Sequence, residues 1–401
     1  MPHFAFLPQW PFAANSLLLF GALLIAGILG GEFTRRVLRL PRITGYVLVG
    51  MLMGPSGLRL LNGTLIGDAW VFVEIALGLL LFELGRRLDL GWFRRDPWLA
   101  ITGLIASALA FGCIYYALVW LEVAPLLAAV AAAIGISTSP AVLLLVAHDM
   151  KAEGQVTERA LHLAAINSSV AYILVTVLIP FIHQEHRGDA TAALLHPLYL
   201  MGGALLIGAA ASALTLMLAR CISRQSDRHY LILLGMVIAA VGGARVLELP
   251  VPLSLLTFGI LVHHMDKRHA LDTVDMGRIG QLFFVVLFVV CGAKVLVQDL
   301  MTGAVLALAF ILARFAGTAA GVMSLTHFSG LRPGTAGLLT IALTPMSGLA
   351  LAMVQGTADI FPAFGAKLAA IVLSAVLMLD LIGPLAVQFA LKRAGETAET
   401  T

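Results

Sequence analysis

The chain has 401 residues, 60% hydrophobic and 12% charged, with a formal net charge of +3 at pH 7. Soluble domains carry about 25% charged residues, so this composition excludes a soluble globular domain and marks an integral membrane protein. The small positive excess does not suggest a nucleic-acid partner, and the three cysteines, Cys113, Cys221 and Cys291, are too few and scattered for a disulfide framework or a metal cluster.

Apolar runs of roughly 20 residues recur from Ala13 to Leu391, each about long enough to cross a hydrocarbon core as a helix. About thirteen spans are predicted, centred near Leu23, Val49, Leu77, Leu109, Gly135, Ser169, Gly208, Met236, Leu256, Leu287, Arg314, Pro345 and Val376. The first run lacks the basic n-region of a cleaved signal and is expected to stay as a helix. With the N-terminus outside, the alternate loops that face inward collect most of the basic residues, including Arg35, Arg36, Arg94, Arg95, Lys151, Arg220, Lys267, Arg268 and Lys392. Trp10, Trp70, Trp92, Trp98 and Trp120 fall at span ends, as interfacial anchors do. The chain ends about ten residues past the last span, and no cytosolic regulatory domain is expected.

Span 3 carries Glu74 and, nine residues on, Glu83 on the opposite face. Glu83 is spaced for an ion pair with Arg86 or Arg87, whereas Glu74 is the least interfacial acid in any span and is expected either to titrate or to hold a buried donor such as Arg314. Span 5, "AAAIGISTSPAVLLLV", and span 12, "LLTIALTPMSGLALAMV", each place Thr, Ser and Pro at mid-membrane: Thr138, Ser139 and Pro140 in one, Thr344, Pro345 and Ser347 in the other. Proline removes a donor and clashes with the preceding turn, so both helices should break there. Taking residues of about 11–181 and 228–393 as two copies, with a linker helix near 196–221, each break lies in the fifth span of its copy, and the copies run through the membrane in opposite directions. Paired interruptions of this kind point to a transporter site, although membrane helices also carry simple proline kinks.

Span 6, "LHLAAINSSVAYIL", puts Asn167, Ser168 and Ser169 near the midplane, with His162 nearer one end. Asn167 and Ser168 can offer hard oxygens to a monovalent cation but cannot titrate; His162 is either structural or a proton shuttle at a funnel mouth. Asp149 and Glu153 read as solvated loop acids, and His263 and His264 as the start of a solvated basic loop. Arg314 lies at mid-depth in span 11 among Ala313, Ala316, Gly317, Ala319 and Gly321, where an arginine faces a partner or a watery cavity and small residues let helices approach. Asp380, in "LMLDLIGP" of span 13, is deep enough to be a further candidate.

The stretches "RITGYVLVGMLMGPSGL" (42–58), "VEIALGLLLFELGRRLDL" (73–90), "GISTSPAVLLLV" (135–146), "GQLFFVVLFVVCGA" (280–293), "LARFAGTAAGV" (312–322) and "LTPMSGLALAMV" (343–354) occur in an order that resembles the membrane domain of the monovalent cation:proton antiporter superfamily, closest to its second family. That resemblance implies thirteen helices, two crossing broken helices in a mobile core, a dimerisation domain, alternating access, and Arg314 at the conserved basic position of the core. It also implies a homodimer in a bacterial inner membrane, exchanging Na⁺ or K⁺ for protons without a cofactor. The family carries an aspartate on span 6; here the matching residues are Asn167 and Ser168. Three readings follow: an antiporter whose titrating acid has moved, with Glu74 the first candidate; an uncoupled cation or anion transporter; or a non-transporting membrane sensor. No Walker loop, dinucleotide fingerprint, HExxH or nucleophile elbow is present, so an enzyme is not expected.

Overall fold

The structure is a computed structural model that describes residues 16–38, 40–61, 63–87, 96–187, 190–221, 226–266, 277–293, 297–346, 349–350, 353–354, 357 and 362–397. Every regular element among them is helical. In chain order these are α1 (Ser16–Phe33), running into a π-helical turn (Thr34–Leu38), α2 (Arg42–Met53), α3 (Gly63–Arg87), α4 (Pro97–Trp120), α5 (Pro125–Gly135), α6 (Pro140–Met150) and α7 (Gln155–Arg187). They continue with α8 (Ala190–Cys221), α9 (Ser226–Val246), α10 (Val251–Met265), α11 (Gly277–Ala293), α12 (Val297–Ser324), α13 (Pro333–Ala342) and α14 (Pro362–Ala394). Eight described helical segments, counting α5 with α6, are long and apolar enough to cross a membrane. All thirteen predicted span centres fall within these helices or at the two breaks, and the chain is a multi-pass membrane protein.

Proline opens α4, α5, α6 and α13, where its missing N–H costs nothing and its fixed φ suits the first turn. The same residue type therefore starts the half-helices on either side of the first break. At the far end of α6, Lys151 takes the left-handed conformation (φ 49°) that closes the helix and turns the chain into α7.

The helices form two groups. In one, α3 packs on α10 and α11, α10 on α8, and α1 and α2 on α11. A compact apolar cluster of Phe82, Leu233, Val237, Leu255 and Phe258 joins α3, α9 and α10. In the other, α4 and α12 lie against each other, and α5, α6, α7, α13 and α14 gather around them. The partition follows the inverted repeat: spans 4–6 and 11–13 make the second group, so α4 corresponds to α12, broken α5–α6 to the element that begins with α13, and α7 to α14.

The closest packing in the second group is set by glycine. A Cβ on Gly317 would lie 2.6 Å from the Cα of Ala110, and one on Gly321 would fall on Ala106. These absences let α12, which carries Arg314, run backbone to backbone along α4. At the base of the group, Glu396, two residues past α14, caps the start of α7: its Oε1 accepts from Val156 N (2.6 Å), and its Oε2 from Thr157 N (2.8 Å) and Thr157 Oγ1 (2.8 Å). A carboxylate on a helix N-terminus satisfies donors the helix cannot and meets the positive end of its dipole.

Candidate functional site

Both predicted interruptions are breaks. The first half-helices, α5 and α13, end at Gly135 and Ala342; residues 136–139 and 343–346 are non-helical; and α6 begins at Pro140 while the described residues from Leu349 onward are helical again. The two extended pieces cross and bond to each other. Ser139 N donates to Pro345 O at 2.8 Å, and Thr138 Oγ1 donates to Leu343 O at 3.5 Å. Ser139 Oγ accepts from Val142 N (3.4 Å) as the cap of α6. Ser347 lies outside the described residues.

Crossing brings the carbonyl ends of α5 and α13 to one point, each worth roughly half a negative charge. Arg314 fills it. Its Nε donates to Gly135 O (2.7 Å), Nη1 to Thr344 O (2.7 Å), and Nη2 to Ser137 O (2.9 Å) and Leu343 O (3.2 Å). The residue is only 4% exposed. Its positive charge matches the summed partial charges of the two helix ends, and a planar fork of donors is what binds carbonyls from two chain segments at once. Arg314 thus meets carbonyls and not Glu74.

Thr138 is the hub between this cluster and α7. Its Oγ1 accepts from Asn167 Nδ2 (3.2 Å) and lies 3.4 Å from Arg314 Nη2, while its carbonyl accepts from Ser168 Oγ (2.8 Å). Asn167 Oδ1 in turn accepts from Ser107 Oγ of α4 at 3.1 Å. Asn167 and Ser168 are both 3% exposed. The three neutral polar groups of "INSS" divide accordingly: Asn167 and Ser168 tie α7 to the first break, and Ser169 turns back to Ala165 O (2.9 Å) in its own helix. Ser107 was not singled out in the sequence, since one serine in an apolar helix has no signal until its partner's position is known.

The other acids and histidines lie apart from this cluster. Glu74 makes a two-pronged ion pair with Arg245 of α9, Nε to Oε2 and Nη2 to Oε1. The donor is neither buried nor Arg314: the Arg245 side chain is half exposed, and α3 packs in the first helix group, away from the crossing. Glu83 pairs with Arg86 at 3.6 Å, one turn away. His162, 5% exposed, has Nδ1 at 2.8 Å from Glu158 O, a bond within α7. His264 does the same with Ile260 O (2.8 Å), so His263 and His264 form the last turn of α10 and not a loop. Asp149 is not a solvated loop acid either: it is in the last turn of α6, where Arg42 Nη1 reaches its Oδ1 at 3.1 Å and Nη2 reaches Glu32 Oε2 at 3.5 Å. These ion pairs join α6, in the second helix group, to α1 and α2, in the first, beside a cavity of 350 Å³ that Tyr46 and Val285 also line.

Asp380 of α14 is 5% exposed, and its Oδ1 is buried without a hydrogen-bond partner among the described residues. Among the described residues no group of three His, Cys, Asp or Glu side chains is placed to hold a metal ion.

An all-helical membrane domain in which two broken helices cross, with inverted repeats around them, defines a secondary transporter class. The sodium/hydrogen exchanger (transmembrane) family profile matches residues 20–393, and the chain belongs to that family. Its fold is shared with two structures of the sodium proton antiporter MjNhaP1 from Methanocaldococcus jannaschii. One, determined at pH 8, has a TM-score of 0.68 at 17% identity over 94% of this chain and 95% of that one. The other, from electron microscopy, has a TM-score of 0.68 at 18% identity over 95% and 98%. No curated protein matches the chain. The match is to the sodium/hydrogen exchanger family as a whole; the expected placement in the second family of the superfamily is finer than it reaches.

Proposed function

We propose that the chain is a secondary active transporter that exchanges a monovalent cation, Na⁺ or K⁺, for protons by alternating access, with the crossing and α7 as its transport core. Arg314 carries this reading. A guanidinium held by carbonyls of both broken helices makes the crossing one charged unit, and it leaves the cation path lined by neutral oxygens of Thr138, Asn167 and Ser168. An arginine so occupied is a poor attractant for a substrate anion, which weighs against the anion reading.

Movement of the second helix group against the first is the natural form of alternating access here. The ion pair of Arg42 with Asp149 bridges the two groups and would have to part in that movement. The basic ends at Arg35, Arg36, Lys151 and Lys392 are assigned to the cytoplasm and the N-terminus to the outside of a bacterial inner membrane. The helices of the first group would supply the contact of a homodimer. The repeats would run over about 11–181 and 228–393, with α8 as the linker.

The test is dissipation of an imposed pH gradient in proteoliposomes by NaCl, KCl or LiCl, with choline chloride as control. A cation-driven response in the native chain that Arg314→Ala lacks supports the reading. A flat response from folded, inserted protein overturns it.

A further inference from the structure

The antiport reading leaves the core without a group that can hold a proton, because Asn167 and Ser168 have none to give or take at physiological pH. Asp380 is such a group. Its Oδ1 is enclosed by protein and enters no hydrogen bond among the described residues. An ionisable side chain kept at depth without a structural partner is costly, and in a membrane helix it marks a path for ions or protons.

Three observations fix its place. Asp380 lies eighteen residues from the start of α14, about 27 Å along a helix that spans the membrane. Gly383, one turn on and so on the same face, touches the second break: a Cβ there would lie 3.0 Å from the Cα of Pro345. And α14 packs on α5, α6, α12 and α13, the elements that make the crossing. Arg314 neutralises the carbonyl ends of the half-helices, whereas at the opposite, amide ends the described cap, Ser139 Oγ on α6, is neutral and brings no countercharge. A carboxylate is the charge those ends favour.

Under the inverted repeat, α14 is the counterpart of α7. We infer that Asp380 is the group at which this chain exchanges a proton for a monovalent cation, the carboxyl having its seat on the last helix of the second repeat and not on α7. The inference rests on the antiport reading. In the step it implies, the protonated carboxyl releases its proton to the water of one side as a cation arrives from that side and pairs with the carboxylate. On the other side the cation leaves and a proton returns. The site is neutral with either passenger, so the exchange is one for one and moves no net charge.

The titratable and charged groups on the elements around α14 are few. None lies on α5 or α13. Arg314 and Asp299 are on α12; His148 and Asp149 end α6; Arg42 and Tyr46 are on α2; and Glu158, Arg159, His162 and Tyr172 are on α7, whose last turns add His183, Glu185, His186 and Arg187. On α14 itself, Lys367 and Lys392 with Arg393 sit toward the two ends.

The experiment is proton release from the purified full chain in weakly buffered detergent on addition of NaCl or KCl, read with a pH-indicator dye against choline chloride, beside the proteoliposome assay. The wild type is expected to release a proton per chain, Asp380→Asn to release none and to lose cation-driven gradient dissipation, and Asp380→Glu to release a proton with its pH midpoint displaced. Should the asparagine variant not fold, the glutamate variant decides alone, an unmoved midpoint overturning the assignment. Wild-type release from Asp380→Asn overturns it too while leaving antiport intact. A wild type that neither releases protons nor dissipates the gradient overturns the antiport reading and this inference with it.

Discussion

The helices that follow the two breaks are filled in opposite ways. On α7, Asn167 and Ser168 reach Ser107 and Thr138 and form a closed set of hydrogen bonds. On α14, Asp380 keeps a carboxylate oxygen without a partner among the described residues, in an equally buried place. Neutral groups with complete partners hold two elements in register; an acid without them is free to bind something that comes and goes. The pseudo-symmetry of the fold thus coexists with a division of labour, neutral oxygens that line the path and hold its walls in register on one repeat and a titratable group on the other.

The largest expected effect comes from Arg314, which serves both halves. Arg314→Ala leaves the carbonyls of Gly135, Ser137, Leu343 and Thr344 facing one another without a cation, at about 1–3 kcal/mol for each left unsatisfied. Thermal unfolding should fall sharply and cation-driven proton movement should disappear; a wild-type rate would remove Arg314 from the mechanism. Next is an exchange of the two fillings. Ser168→Asp placed on the Asp380→Asn background returns a carboxyl to α7, and proteoliposomes should regain cation-dependent proton movement. No gain would mean that the surroundings of Ser168, and not only its side chain, have become structural. Asn167→Ala removes the link between α4, α7 and the first break together with one oxygen of the cation path, and is expected to cost roughly 1–3 kcal/mol of stability, read by chemical or thermal unfolding, and to raise the cation concentration needed for proton release. The smallest effect belongs to Glu74→Gln. The Arg245 side chain is 48% exposed, so the pair contributes about 1 kcal/mol or less, and cation-driven proton movement should persist. Its loss would return Glu74 to the list of proton carriers.

Much of this molecule was legible before any coordinates. Thirteen spans follow from apolar length, and the two breaks from Pro140 and Pro345, because both signals are local: a proline interrupts its own helix whatever surrounds it. Arg314 was legible as a core residue because a charge at that depth has few alternatives. Partners were not legible. Nothing in "FELGRR" or "VGGARV" says that Glu74 meets Arg245, 171 residues away, and the same holds for Asp149 with Arg42. Those pairings depend on which helices lie side by side, and periodicity is silent on that. For the same reason Asp380, in a helix with no motif around it, stands in the sequence only as a further candidate, and its place beside the second break comes from Gly383 against Pro345.

The cap that Glu396 places on α7 has a mechanical consequence. It ties the foot of α7 to the foot of α14, while the crossing joins α5, α6 and α13 between their shafts, so the helices bearing Asn167 and Asp380 are fastened like the two arms of a clothes peg. They can swing together, but neither can slide along the other without parting three hydrogen bonds. Whatever opens and shuts the path must therefore turn the pair as a single lever.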